Sequence, residues 1–107
     1  MKSIEELLTE NDDGIIVWCY SKEESELAIK AKRLISKRLG TYCTTLGCMW
    51  RKWGESEGGY RFYIKNGMLR VNHNDGEFYK QDRFKVLCHV SPQSLLTLLE
   101  HVTYEIY

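Results

Sequence analysis

The sequence predicts an α+β fold: a mainly antiparallel sheet of about four to five strands, with two or three helices packed on one face. Three observations predict it. Asn66-Gly67 joins two stretches that alternate apolar and polar residues, the mark of a hairpin with a type I′ turn. Runs with helical apolar spacing follow Ser21 and Ser91-Pro92. The order helix, strand, helix, several strands, helix keeps helices apart from the antiparallel strands, which suits layering on one face.

The elements follow in order. Residues 3–8 suit a short helix, with Ser3 as N-cap and Glu6 three residues on, as in a capping box. Residues 11–14, Asn-Asp-Asp-Gly, read as a turn. Residues 15–20 are β-branched, aromatic and continuous, as in a strand buried on both faces. Ser21 and Glu24 repeat the capping-box pattern and open a helix to about Leu39, with Gly40 just past its end. Leu27, Ala28, Ala31, Leu34 and Ile35 mark its buried face. Residues 41–53 read as a strand with Gly47 as a bulge. Residues 54–59, rich in glycine and acid, read as the most flexible loop.

The hairpin is the strongest local expectation. Its turn pairs Lys65 with Met68, Ile64 with Leu69, Tyr63 with Arg70, Phe62 with Val71 and Arg61 with Asn72. Tyr60, Phe62, Ile64, Leu69 and Val71 then share the core face. Arg61, Tyr63, Lys65, Met68, Arg70 and Asn72 share the other, which is expected to stay open. A turn at residues 74–77 leads into Phe78 and Tyr79, with Tyr79 beside Asn72 on the outer side. After a broken stretch, residues 84–89 alternate as a further strand. Ser91 as N-cap and Pro92 at the first helical position start a last core helix, and residues 104–107 add an edge strand or fray.

Bulk composition narrows the function classes. A length of 107 residues suits one domain, residues 1–107, with a core of its own. Fifteen basic and fifteen acidic residues cancel, so neither the basic excess of a duplex-DNA binder nor the acidic excess of a DNA mimic is present. The opening residues carry no signal-peptide pattern, and the longest apolar run is too short to cross a bilayer. A cytoplasmic protein with free thiols at Cys19, Cys43, Cys48 and Cys88 is expected, with no membrane association.

No complete catalytic, metal or cofactor motif is legible. Cys43 and Cys48 lack the paired short spacings of a zinc site. Cys88 and His89 are strand neighbours and point to opposite faces, so they form no dyad with each other. The glycines near Gly54 and Gly58 lie beside acids, not before a lysine, which argues against a phosphate-binding loop. No cofactor and no metal are expected.

The residues that stand out are cationic and aromatic. Trp50, Arg51 and Trp53 precede the glycine-rich loop; Arg61, Tyr63, Lys65 and Arg70 lie on the hairpin's outer side, with Tyr79 near them. Such sets serve protein interfaces, where Trp, Tyr and Arg dominate. They also serve single-stranded nucleic acid, which takes stacking for bases and charge for phosphates. The ordinary alternative is a solvated strand face with cross-strand pairs. The expectation is therefore a small non-catalytic module that occludes a larger protein or ribonucleoprotein. Size and missing catalytic motifs suggest the accessory and inhibitor proteins of phages and mobile elements, the class that includes anti-CRISPR proteins; no motif carries that class. A single-stranded nucleic-acid binder is the runner-up, and a small Cys/His enzyme the third reading. Oligomeric state is not legible.

Overall fold

A computed structural model of the chain describes residues 4–9, 14–40 and 47–105, except the side chains of Glu5 and of residues 100–105. The elements are α1 (Ile4–Thr9), β1 (Ile15–Cys19), α2 (Lys22–Leu39), a 3-10 helix (Trp50–Trp53), β2 (Gly58–Lys65), β3 (Met68–Asp75), the single turn α3 (Gly76–Tyr79), a second 3-10 helix (Asp82–Phe84), β4 (Cys88–Val90) and α4 (Pro92–Glu105). The four strands form one sheet in the order β3-β2-β1-β4. β1–β2 and β2–β3 are antiparallel, and β4 runs parallel to β1. The fold is α+β with a mostly antiparallel sheet, as the sequence predicts.

The helix termini explain where the helices begin. The Glu24 amide donates to Ser21 Oγ at 3.1 Å, and Glu24 Oε1 accepts from the Tyr20 amide at 2.8 Å. Gly40 closes α2 with φ 66°. The Ser94 amide donates to Ser91 Oγ at 3.1 Å ahead of α4. The N-cap expected at Ser3 and the segment 41–46 lie outside the described residues.

The hairpin has the expected register from Lys65–Met68 through Arg61–Asn72, continued to Gly58–Asp75. Asn66 (φ 54°) and Gly67 (φ 75°) both take the left-handed conformation that a type I′ turn requires. Ile15, Val17, Cys19, Tyr60, Phe62 and Leu69 point to one face, where α1, α2 and α4 cover them with Ile4, Leu8, Ala28, Ile35, Leu95 and Leu99. Three helices on one face match the expectation.

The other face departs from it. A second, smaller core of Ile16, Tyr79, Phe84 and Leu87 covers the middle of that face, so it is open only in part. The strand expected over residues 84–89 is a 3-10 helix and a turn, with strand only at Cys88–Val90. Phe84 and Leu87, three residues apart, turn inward together while Val86 is 78% exposed. An alternating strand would have buried Val86 with Phe84. The strand expected over 41–53 fails for the same reason where it is described: residues 47–49 are not strand and Trp50–Trp53 is a 3-10 turn. Positions three apart eclipse in that geometry, which lets Trp50 and Trp53 both reach the first core.

The glycine-rich loop is shorter than expected. Gly58 and Gly59 belong to β2 and are buried. A Cβ on Gly58 would lie 2.2 Å from Trp53 Cδ2, and one on Gly59 would lie 3.0 Å from Tyr79 Cδ2. The two glycines seat one aromatic ring on each side of the sheet.

Candidate binding face

The hairpin register assembles the open half of the second face. Tyr63 stands opposite Arg70, Arg61 opposite Asn72, and Lys65 opposite Met68. Side-chain alternation puts all six on one side. Lys65, Met68, Arg70 and Asn72 are exposed, and Arg61 and Tyr63 are half-buried. The Arg61 guanidinium lies over the Tyr63 ring, 4.2 Å from its centroid. This cation–π contact stiffens both groups. No carboxylate stands among the second-face positions of β2 and β3, which are Gly59, Arg61, Tyr63, Lys65, Met68, Arg70, Asn72 and Asn74. Among the described residues, Lys65 and Arg70 make no ion pair. Tyr63, Lys65, Asn66, Arg70, Val71 and Asn72 line an open depression of about 450 Å³.

The other expected site residues lie elsewhere. Trp53 is 8% exposed and packs against Tyr60 with ring centroids 5.1 Å apart, on the first face. Trp50 packs half-buried against the same core, and Arg51 is exposed beside it. These three do not join the hairpin cations. Tyr79 is 1% exposed and packs against Phe84 with ring centroids 5.1 Å apart. Burial pushes that phenol up to about 12, so it is a neutral structural group rather than a contact residue. It does lie on the second face, as expected, but as part of its cover.

A feature the sequence reading missed lies at the far end of β1. Trp18 and Tyr20 stack with centroids 6.2 Å apart and planes 14° apart, and Tyr20 is 64% exposed. Trp18 Nε1–H donates to His89 Nδ1 at 2.6 Å. Because Nδ1 accepts, His89 carries its proton on Nε2, which donates to the Phe84 carbonyl at 2.8 Å. The alternation of Ile15, Val17 and Cys19 into the first core was the available signal for Trp18 and Tyr20 on the other side.

The thiols are differently placed. Cys19 is buried, and its burial, with Glu24 and Cys48 nearby, raises its pKa to about 12. Cys48 is exposed and its thiol donates to Ser25 Oγ at 3.3 Å. Ser25 Oγ and Tyr60 Oη are 2.6 Å apart, and the Met49 amide donates to Tyr60 Oη at 2.9 Å. That chain ties residues 48 and 49 to the core. Cys88 is exposed on β4, facing away from His89 by strand alternation. Among the described residues no group of three or more His, Cys, Asp or Glu side chains could hold a metal ion, and no helix is long and apolar enough to cross a membrane. Comparison with protein-family models, with curated proteins and with solved structures gives no match.

Proposed function

We propose that the chain is a non-catalytic binding module that docks on an acidic surface of a larger macromolecule and acts by occluding it. Accessory or inhibitor proteins of the phage and mobile-element type work in this way. The observation that carries the reading is the set Arg61, Tyr63, Lys65 and Arg70 on one face of the β2–β3 hairpin, whose strand positions on that face include no carboxylate, with Lys65 and Arg70 in no ion pair among the described residues. Core packing has no need of cations there. A Tyr braced by an Arg, with two further cations beside it, is the composition of an interface hot spot. The non-catalytic part rests on the reactive groups. The Cys19 thiol is held protonated by burial, and both ring nitrogens of His89 are engaged.

The test is the double variant Tyr63→Ala with Arg70→Ala. It should lose only the cross-strand contribution to stability, about 0.2–1 kcal/mol. Partner binding should weaken by about 2 kcal/mol or more. Full partner binding by a folded double variant would refute the reading. A single-stranded nucleic acid is the second reading, favoured by the stacked Arg61–Tyr63 pair. Binding that falls steeply with salt and survives protease but not nuclease treatment would select it.

A further inference from the structure

We infer that β3 is a docking edge that accepts an extended acidic strand from a protein partner, lengthening the sheet by β-addition. This rests on the reading of the open face given above and names its partner chemistry. β3 is the end strand of the sheet and has eight residues, with neither a proline nor a bulge to guard it. The other end strand, β4, has only three.

The outward groups of β3 follow from the turn. A two-residue type I′ loop makes Lys65 and Met68 a hydrogen-bonded pair, and such pairs then alternate along the ladder. Arg70 and Asn72 therefore spend their amides and carbonyls on β2. Leu69, Val71 and His73 turn theirs outward. Among the described residues, no hydrogen bond reaches those outward backbone groups. The depression beside the strand includes Val71 together with Arg70 and Asn72, so it extends to this edge.

Charge selects the occupant. On an added antiparallel strand, residues opposite Leu69, Val71 and His73 project to the first face, where half-buried Val71 offers apolar contact beside the already buried Leu69. Residues opposite Arg70 and Asn72 project to the second face. They sit at non-hydrogen-bonded positions, where side chains come closest. A carboxylate there meets Arg70, and Lys65 stands one strand further in, diagonal to Arg70 across the β2–β3 pair. A second copy of β3 fits poorly. With Val71 on the twofold axis, each Arg70 would face Asn72 of the other copy, and both sets of Arg61, Lys65 and Arg70 would share one continuous face. The fitting strand alternates acidic and apolar residues.

The probe is a peptide of alternating glutamate and valine, about as long as β3. A second version carries N-methyl groups on two central valines, and a third has the same composition with glutamates and valines in separate blocks. Amide exchange by NMR and titration calorimetry are the readouts. The alternating peptide should bind and slow exchange at Leu69, Val71 and His73. N-methylation and blocking should each weaken binding about tenfold or more. Val71→Pro removes an outward donor without touching the β2–β3 ladder, and should abolish binding while the thermal melt reports its folding. Should that variant not fold, the N-methylated peptide decides alone. Equal binding of the methylated and unmethylated peptides, with loss of both in Arg70→Ala, would overturn strand addition and leave the open-face reading standing. Binding indifferent to Arg70→Ala and Tyr63→Ala would overturn both. Absence of binding, binding of an oligothymidylate in place of the peptide, or concentration-dependent protection of the three amides without any peptide would each overturn the assignment, the last two in favour of nucleic acid and of a second copy.

Discussion

Trp53 lays its indole flat against Gly58, leaving no room for a side chain on that strand residue: a Cβ there would come within 2.2–2.6 Å of three ring atoms. The ring is wedged between this backbone and Tyr60, so it cannot retreat. Gly58→Ala should therefore cost about 1–3 kcal/mol, the usual range for overpacking. Gly59→Ala, whose nearest contacts run from 3.0 to 3.4 Å, should cost less. Urea melts of the two variants give the comparison; an equal or reversed order would contradict this packing.

At the hairpin tip the constraint is conformational rather than steric. Nothing lies within 4 Å of where a Gly67 Cβ would be, yet its φ is 75°. Gly67→Ala should cost about 1 kcal/mol through the left-handed penalty alone, and Gly67→Val more, because β-branching resists that geometry. An unchanged melting temperature for the valine variant would mean that the turn had changed type.

These two sites also show what the sequence makes legible. Asn66-Gly67 specifies one turn type, and that turn fixes the partner of every residue from Arg61 to Lys65. The shared face of Arg61, Tyr63, Lys65 and Arg70 was legible for that reason. The burial of Trp53 and Tyr79 was not legible, because their rings settle on glycines, which give no sequence sign of the ring they receive. The cover over the second face escaped because Phe84 and Leu87 are three apart, a turn spacing, within a stretch that also reads as alternating. Only the β1 periodicity carried an unused signal, since burying Ile15, Val17 and Cys19 on one side commits Trp18 and Tyr20 to the other.

Thiol accessibility separates the cysteines. Cys19 is fully buried and its thiol is raised to about 12, so little thiolate exists to react. Cys48 and Cys88 are exposed. Brief alkylation of the native protein, read by peptide mass spectrometry, should label Cys48 and Cys88 and spare Cys19. In denaturant Cys19 should react as well. Native labelling of Cys19 at the rate of Cys88 would contradict its placement in the core.

His73 should make the fold acid-sensitive. It faces the first core opposite Tyr60, and its Nδ1 is buried without a hydrogen-bond partner among the described residues. Burial first, and the nearby positive charge of Lys52 second, hold its pKa below the ordinary 6.5. The sign follows from proton uptake. Above pH 6.5 the ring is neutral in both the folded and the unfolded chain, so it adds no pH dependence. As pH falls below 6.5 the unfolded chain takes up a proton that the folded chain still refuses, and stability drains away until the folded ring also protonates. Carboxylates titrate over the lower part of this range too, so the informative quantity is a difference between two proteins. Melting temperatures of wild type and His73→Leu, compared at about pH 7.5 and about pH 5.5, isolate the ring. The wild type should lose more on acidification than the leucine variant. Equal losses would show that His73 takes up its proton as readily in the folded chain as in the unfolded one, and would place its ring in water rather than against the core.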